Sequence, residues 1–235
     1  MSVRLVLLGP PGSGKGTLAT KLGEVLAVPH ISTGEIFRQE IGRQSALGRS
    51  VHAYVSSGRL VPDALVVKVM VSRLTSRLLR QGFVFDGFPR TVGQAQGLDQ
   101  ALNRKRHPLL GALYLQCPTS VLISRLSGRR VCGSCGAIYH LRNMPPKRVD
   151  RCDRCGQALI TRKDDRVDTI KERLRIDQEQ AKPLVKYYRR KRLLYPIRSA
   201  NSNDHTLAQT LRLMRRKGWI AAARTSKAHD RAQNT

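Results

Sequence analysis

Apolar residues in this chain fall into two patterns. Short apolar runs at Val3–Leu8, broken only by Arg4, and at Phe83–Phe85 and Ala112–Leu115 are followed by apolar positions three or four apart. The runs suit strands covered on both faces, and the wider spacing suits helices. Leu18, Leu22, Val25 and Leu26 mark the buried face of one helix. Leu65, Val66, Val69, Met70, Leu74 and Leu78 mark a single longer one, opened by Pro62-Asp63 and closed by Gly82. Ser32, with Glu35 three residues on, has the form of a capping box and starts another. His30-Ile31 and Tyr195–Ile197 read as short strands, and the segment from Thr119 to Leu126 as a short helix. Asp168–Arg192 reads as a long helix kinked at Pro183, and Leu207, Leu211 and Met214 suggest a last helix. Alternating strands and helices predict an α/β fold with a parallel sheet flanked by helices. Right-handed crossovers then gather the loops that follow the strands along one edge.

Two segments break the alternation. Residues 32–61 read as short helical pieces interrupted by Gly42, Gly48 and Gly58, with few large apolar residues, and predict a small helical lobe. Residues 128–165 predict a second insertion with almost no core of its own. At that size a metal usually has to supply stability. The cysteines Cys132, Cys135, Cys152 and Cys155 provide a site for one, because paired CxxC knuckles read as a zinc site. Four thiolates close the tetrahedron, so the zinc is a folding element and not a catalyst. His140 is a spare donor that four cysteines make unnecessary, and Cys117 reads as a small buried hydrophobe. The predicted core is then residues 1–31, 62–127 and 166–217, followed by a basic, disordered tail at 218–235.

The first helix is entered through Gly9-Pro10-Pro11-Gly12-Ser13-Gly14-Lys15-Gly16-Thr17. Strand, glycine loop and helix form a phosphate-binding unit. Successive backbone N–H groups make an anion nest, the helix N-terminus faces it, and Lys15 adds a full charge. The hydroxyl that would directly follow the lysine comes one place late, at Thr17. A second motif, Asp86-Gly87-Phe88-Pro89-Arg90-Thr91, also follows a strand and so belongs at the same edge. Asp86 is the candidate carboxylate near a magnesium ion, acting through water.

Composition adds one unusual feature. Forty-three basic residues face 16 acidic ones, a net charge of +27. From Lys186 onward thirteen basic residues stand against Asp204 and Asp230. This excess suits weak binding of a polyanion such as nucleic acid by the C-terminus, or simply a solvated basic tail. No run is long and apolar enough to span a membrane. The loop at Gly9 leaves no room for a cleavable leader before it, so a cytoplasmic location is expected.

Taken together, the motifs resemble those of the adenylate kinase family in its bacterial form with a long zinc-bearing lid. The likeness runs from about Val3 to Tyr188. It rests on the loop Gly9–Thr17 with its Gly16-Thr17 ending, on Ser32-Thr33-Gly34 with Arg38, and on Asp86–Thr91 with Gln94. It rests also on Gly128-Arg129-Arg130-Val131-Cys132 and on Thr161–Asp165 with Arg173. The resemblance implies a P-loop NTPase-type fold and reversible transfer between ATP, with Mg2+, and AMP to give two ADP, serving nucleotide homeostasis and purine salvage. By the same resemblance Gly12, Ser13, Gly14, Lys15, Gly16 and Thr17 would wrap the ATP phosphates, and Arg129, Ile138, Tyr139 and Arg125 would flank ATP. Thr33, Arg38, Arg59, Leu60, Val61, Gly87, Phe88, Pro89, Arg90 and Gln94 would hold AMP, with Gln94 on the adenine edge. Lys15, Arg90, Arg129, Arg162 and Arg173 would surround the transferring phosphoryl group, the last two also touching AMP. Residues 32–61 would be the AMP-binding lobe and 128–165 the zinc-bearing lid of a monomer.

A phosphate nucleophile is already ionised near neutral pH, so this chemistry needs alignment and charge, and no general base. At Ile197–Ser202 the chain departs from the family's acidic-glycine turn, leaving Asn201 as the candidate adenine contact. Two alternatives stay open: a kinase for another nucleoside monophosphate, and a basic P-loop zinc protein whose main role is nucleic-acid binding.

Overall fold

The computed structural model describes residues 2–57, 59–162, 165–199 and 202–221, the side chains of Val167 and Arg173 excepted. The proposed disordered tail and Asn201 lie outside the described residues, apart from the stretch up to Ala221.

The main sheet is made by β1 (Val3–Leu8), β2 (His30–Ser32), β3 (Gly82–Asp86), β4 (Gly111–Gln116) and β8 (Leu194–Arg198), ordered β2-β3-β1-β4-β8. Every pairing is parallel. Each residue of central β1 is buried, as its apolar run requires. Arg4 interrupts that run and is buried too; its Nε donates to the Pro108 carbonyl at 2.8 Å. Pro196 is tolerated because β8 is an edge strand. One face of the sheet packs on α1 (Lys15–Leu26) and α9 (Asn203–Arg216). The other packs on α4 (Asp63–Ser72), α5 (Ser76–Gln81), α6 (Val92–Arg104) and α8 (Val167–Arg190). The helix α7 (Thr119–Ser127) lies against α8 through Leu122, Leu126, Ile170 and Leu174.

Several local expectations are corrected. Val25 is 56% exposed, since α1 buries Leu18, Ala19 and Leu22 and turns the next residue outward. Ser32 makes no capping bond: it is the last residue of β2, paired with Asp86, so its hydroxyl is not aimed at the helix. The helix expected over 63–81 is two, α4 and α5. Thr75 accepts from the Leu78 N–H and starts a new helix where the old one could have continued. The helix α6 has no sequence expectation, because its buried face includes Gln94 and Asp99 beside Ala95, Leu98 and Leu102. α8 remains helical through Pro183. Cys117 is half-buried, touched by Arg125, and burial pushes its thiol up.

The helices of the first insertion are α2 (Thr33–Gly42) and α3 (Ala46–Ser56). Gly48 does not interrupt α3 but lies within it, where a Cβ would run into the Glu40 carbonyl. Glycine is what lets these two helices cross closely. Phe37 and Val51 join the core cluster of α4 and β3. The second insertion carries its own antiparallel sheet, β6-β5-β7, from β5 (Arg129–Cys132), β6 (Ile138–His140) and β7 (Leu159–Ile160). Its small core is Cys132, Ala137, Tyr139, Cys152 and Leu159, two of them candidate metal ligands.

Candidate active site

A cavity of about 840 Å3 opens at the C-terminal edge of the main sheet. Strand polarity explains its position: the loop after β1 and the loop after β3 end there side by side. Gly14 sits at φ 90°, a left-handed conformation that turns the loop into α1. The Lys15 ammonium donates to the carbonyls of Gly9 and Pro10, at 2.5 and 2.8 Å. Gly12, Gly14, Lys15, Gly16 and Thr17 line the cavity. Ser13 does not; it is buried, and its hydroxyl oxygen has no hydrogen-bond partner.

Asp86 faces the start of α1 across the cavity floor. A Cβ on Gly16 would lie 3.4 Å from Asp86 Oδ2. On its other side His30 Nε2 lies 3.8 Å from the same oxygen. Burial pushes the Asp86 carboxyl up, but the neighbouring His30 imidazole and the charges of Lys15 and Arg90 outweigh it. The pKa is therefore lowered from the ordinary 3.8. A carboxylate oxygen beside Gly16, with the Thr17 hydroxyl lining the same cavity, is the kind of oxygen set Mg2+ takes, so these residues fit that ion.

Arginines from distant segments converge here. Arg38, Arg90, Arg125, Arg129 and Arg162 all line the cavity, with Lys15 and Lys21. Arg90 Nε donates to the Gly87 carbonyl at 3.0 Å, and Gly87 also accepts from the Thr33 hydroxyl at 2.9 Å. Arg129 makes a two-pronged pair with Asp165, Nε to Oδ2 at 2.7 Å and Nη2 to Oδ1 at 2.5 Å. Arg125 donates to the Ser199 carbonyl at 2.7 Å. Glu35, Asp86, Asp177 and Asp204 are the acidic lining residues, and Asp204 is paired with Lys21. The site is thus biased toward anions.

Of the other residues singled out from the sequence, Leu60, Gly87, Pro89, Ile138 and Tyr139 line the cavity. Thr33, Val61, Phe88 and Gln94 are buried beside it. Gln94 is tied up: its Oε1 accepts from the Arg90 N–H and its Nε2 donates to Asp63 Oδ1, both at 2.8 Å. Arg59 is exposed and donates to Ser57 Oγ at 3.1 Å, away from the cavity lining. Arg173 is in α8, but its side chain lies outside the description. Beyond Arg173 the sequence offers no site reading for α8, yet Ile176, Gln180 and Leu184 line the cavity. Their four-residue spacing, one face of a helix, is the signal that marks them.

The four candidate zinc ligands converge as well. Their sulfurs all lie within 4.8 Å of one another, and two pairs are at 3.4 and 3.5 Å. Tetrahedral thiolates about 2.3 Å from zinc need a separation of about 3.8 Å, so the set fits the ion. Tyr139 accepts from the Asp153 N–H at 2.8 Å and so turns its hydroxyl hydrogen to Cys152 Sγ, 3.5 Å away. That hydrogen bond brings the Cys152 thiol down to about 6. Such a partner orients a ligand and holds it as thiolate.

The model of the adenylate kinase family matches residues 7–193. The adenylate kinase of Moorella thermoacetica is 48% identical over 195 residues, covering 83% of this chain and 90% of the relative. That of Clostridium tetani is 44% identical over the same shares. That of Thermosipho melanesiensis is 40% identical over 214 residues, 91% of this chain and the whole of the relative. With the phosphate loop, the arginine-lined cavity and the four-thiol insertion, this match places the chain in the adenylate kinase family.

Proposed function

We propose that the protein catalyses ATP + AMP ⇌ 2 ADP. The observation that carries this reading is the cavity that joins the phosphate loop to arginines from five other segments. In this reading Gly12–Thr17 cradle the ATP phosphates, and Ile138 and Tyr139 flank the nucleotide from the lid. Arg38, Arg90 and the 32–61 lobe hold the monophosphate. Lys15, Arg90, Arg129, Arg162 and Arg173 neutralise the charge that spreads over the moving phosphoryl group. Their planar forks fix oxygen positions as well as charge. Asp86 and Thr17 would hold a magnesium ion, which supplies further charge neutralisation. The lid at 128–165 excludes water, which would otherwise take the phosphoryl group. Residues 1–31, 62–127 and 166–217 form the rigid frame.

Gln94 faces the adenine edge of AMP in this reading: the Arg90 N–H and Asp63 hold its amide in place, and one amide N–H and one oxygen lone pair remain for the base. No described helix is long and apolar enough to cross a membrane. We place the enzyme in the cytoplasm, as a monomer that also binds polyanions weakly.

Coupled measurement of ADP formed from ATP with AMP, CMP, UMP or GMP tests the reading. AMP should be the preferred acceptor by at least about tenfold. Preference for another monophosphate would move the protein to a sibling activity, and no turnover with any of them would leave only binding.

A further inference from the structure

In a parallel sheet the loops after strands meet at one edge, and the loops before strands meet at the other. The first edge holds the active site. The second is assembled from the last turns of α5, α6, α8 and α9 and the connections into β3, β4 and β8. Contacts show that these parts meet. Trp219, just past α9, packs on Tyr195 with ring centroids 5.0 Å apart, and a Cβ on Gly111 would touch both rings. Val3, Gln81 and Trp219 line one shallow groove.

This edge is positive. Arg80, Arg104, Arg106, Arg190, Arg192 and Arg216, one or two from each part, are all exposed. None of these six has a carboxylate partner among the described residues. The acids nearby are Glu24, in the last turn of α1, and Asp99 in α6. Asp99 is already engaged by Lys191 and by Tyr187, whose hydroxyl donates to it at 2.7 Å. Lys217 lies over the Tyr195 ring, 5.0 Å from its centre. Strand spacing of about 4.8 Å makes the strip from β3 to β8 roughly 15 Å wide, the span of a few consecutive backbone phosphates.

We propose that this edge binds the phosphodiester backbone of duplex nucleic acid, without reading its sequence, while the opposite edge turns over nucleotides. Arginine predominates, and its fork suits phosphate oxygens. Single strands call for exposed stacking rings, and here the rings are covered: Trp219 is only 9% exposed and is packed on Tyr195. A membrane would call for exposed apolar anchors. Of the large hydrophobics most exposed, Val25 alone is near this edge, and Leu141, Met144, Val149 and Ile160 are all in the lid. The proposal rests on the charge and topology of this edge and is separable from the kinase reading, since each has its own assay.

The test is fluorescence anisotropy with labelled 20-base-pair RNA and DNA duplexes, at 50 and 200 mM KCl. Four samples are compared: the full chain, the chain ending at Ala221, the full chain with R104Q, R106Q, R190Q and R192Q, and the full chain with ATP and AMP added. Binding should survive truncation within about threefold and should be indifferent to nucleotides. The fourfold variant should lose at least about tenfold in affinity, and its salt slope should flatten by up to about 0.9 per contact removed. Its turnover and melting temperature should stay within about twofold and 3 °C of the full chain. The RNA and DNA arms show which duplex is preferred, and either preference supports the proposal. Loss of binding on truncation would assign the affinity to the tail instead. Competition by ATP and AMP would assign it to the active site. Undiminished binding by the fourfold variant, or binding to phosphatidylserine vesicles and to neither duplex, would overturn the proposal.

Discussion

Arg129 opens the lid and Asp165 closes it, and the two are joined by a two-pronged salt bridge. The Asp165 side chain is fully buried, while that of Arg129 is 16% exposed on the cavity side. The aspartate therefore fixes a guanidinium that lines the cavity and also ties the two ends of the second insertion together. Asp165→Asn should lower kcat by about tenfold or more and destabilise the protein by about 3 kcal/mol, the scale for breaking a buried pair from one side. Steady-state kinetics and urea melts measure the two effects. An unchanged kcat would mean that Arg129 needs no such anchor.

Metal removal should separate stability from chemistry. The lid core is built around Cys132 and Cys152, so a chelator or Cys152→Ser should melt the lid first. A loss of about 3 kcal/mol corresponds to a fall of roughly 10 °C in a chain of this size. Differential scanning calorimetry with metal analysis should show this fall at temperatures where turnover persists. An unshifted melting curve in protein shown to be metal-free would remove zinc from the account of the lid.

Arg90 holds its place through the Gly87 carbonyl and the cavity wall. Arg90→Lys keeps the charge and loses the fork, and should cost about 10^3 in kcat, the lower range for arginines acting on a transferring phosphoryl group. The melting temperature should be nearly unaffected. Turnover within threefold of the parent would show that charge alone suffices.

Asp86 gives a pH prediction with a definite sign. Its pKa is lowered in the folded state, so its contribution is full above the ordinary value of 3.8 and is lost as pH falls through the folded value. The stability gap between the parent and Asp86→Asn should be constant above about pH 5 and should narrow below pH 4. Chemical denaturation from pH 3 to 8 checks this. A gap that narrows on raising the pH instead would reverse the assignment.

Gly48 sits where α2 and α3 cross. Gly48→Ala forces the helices apart at the Glu40 carbonyl, and should cost about 1–3 kcal/mol despite the better helix propensity of alanine. Thermal melting measures it, and a stabilised variant would contradict the close approach.

Much of this fold can be read in the sequence because β1, β3 and β4 are covered on both sides and need near-continuous apolar runs. The phosphate loop and the knuckles can be read because their chemistry needs fixed residues at short spacing. What cannot be read depends on partners far away in the chain. α6 buries Gln94 and Asp99, polar residues whose partners lie at Asp63 and at Tyr187 and Lys191. The break between α4 and α5 turns on one hydroxyl, Thr75, inside an apolar pattern that runs straight across it. The α8 wall of the cavity is ordinary amphipathic helix until the sheet places it opposite the phosphate loop.

Asp63 stands where the chain returns from α3 to the frame. It accepts from Thr91 Oγ1 at 2.5 Å and from Gln94, which in turn accepts from the Arg90 N–H. The re-entry point of the small helical insertion is thus mechanically coupled, through two side chains, to the arginine that reaches into the cavity. A surface change in α2 or α3 that tilts this re-entry would reach the phosphoryl group as an aiming error. Activity could then be retuned from the outer faces of α2 and α3, away from the residues that hold phosphate.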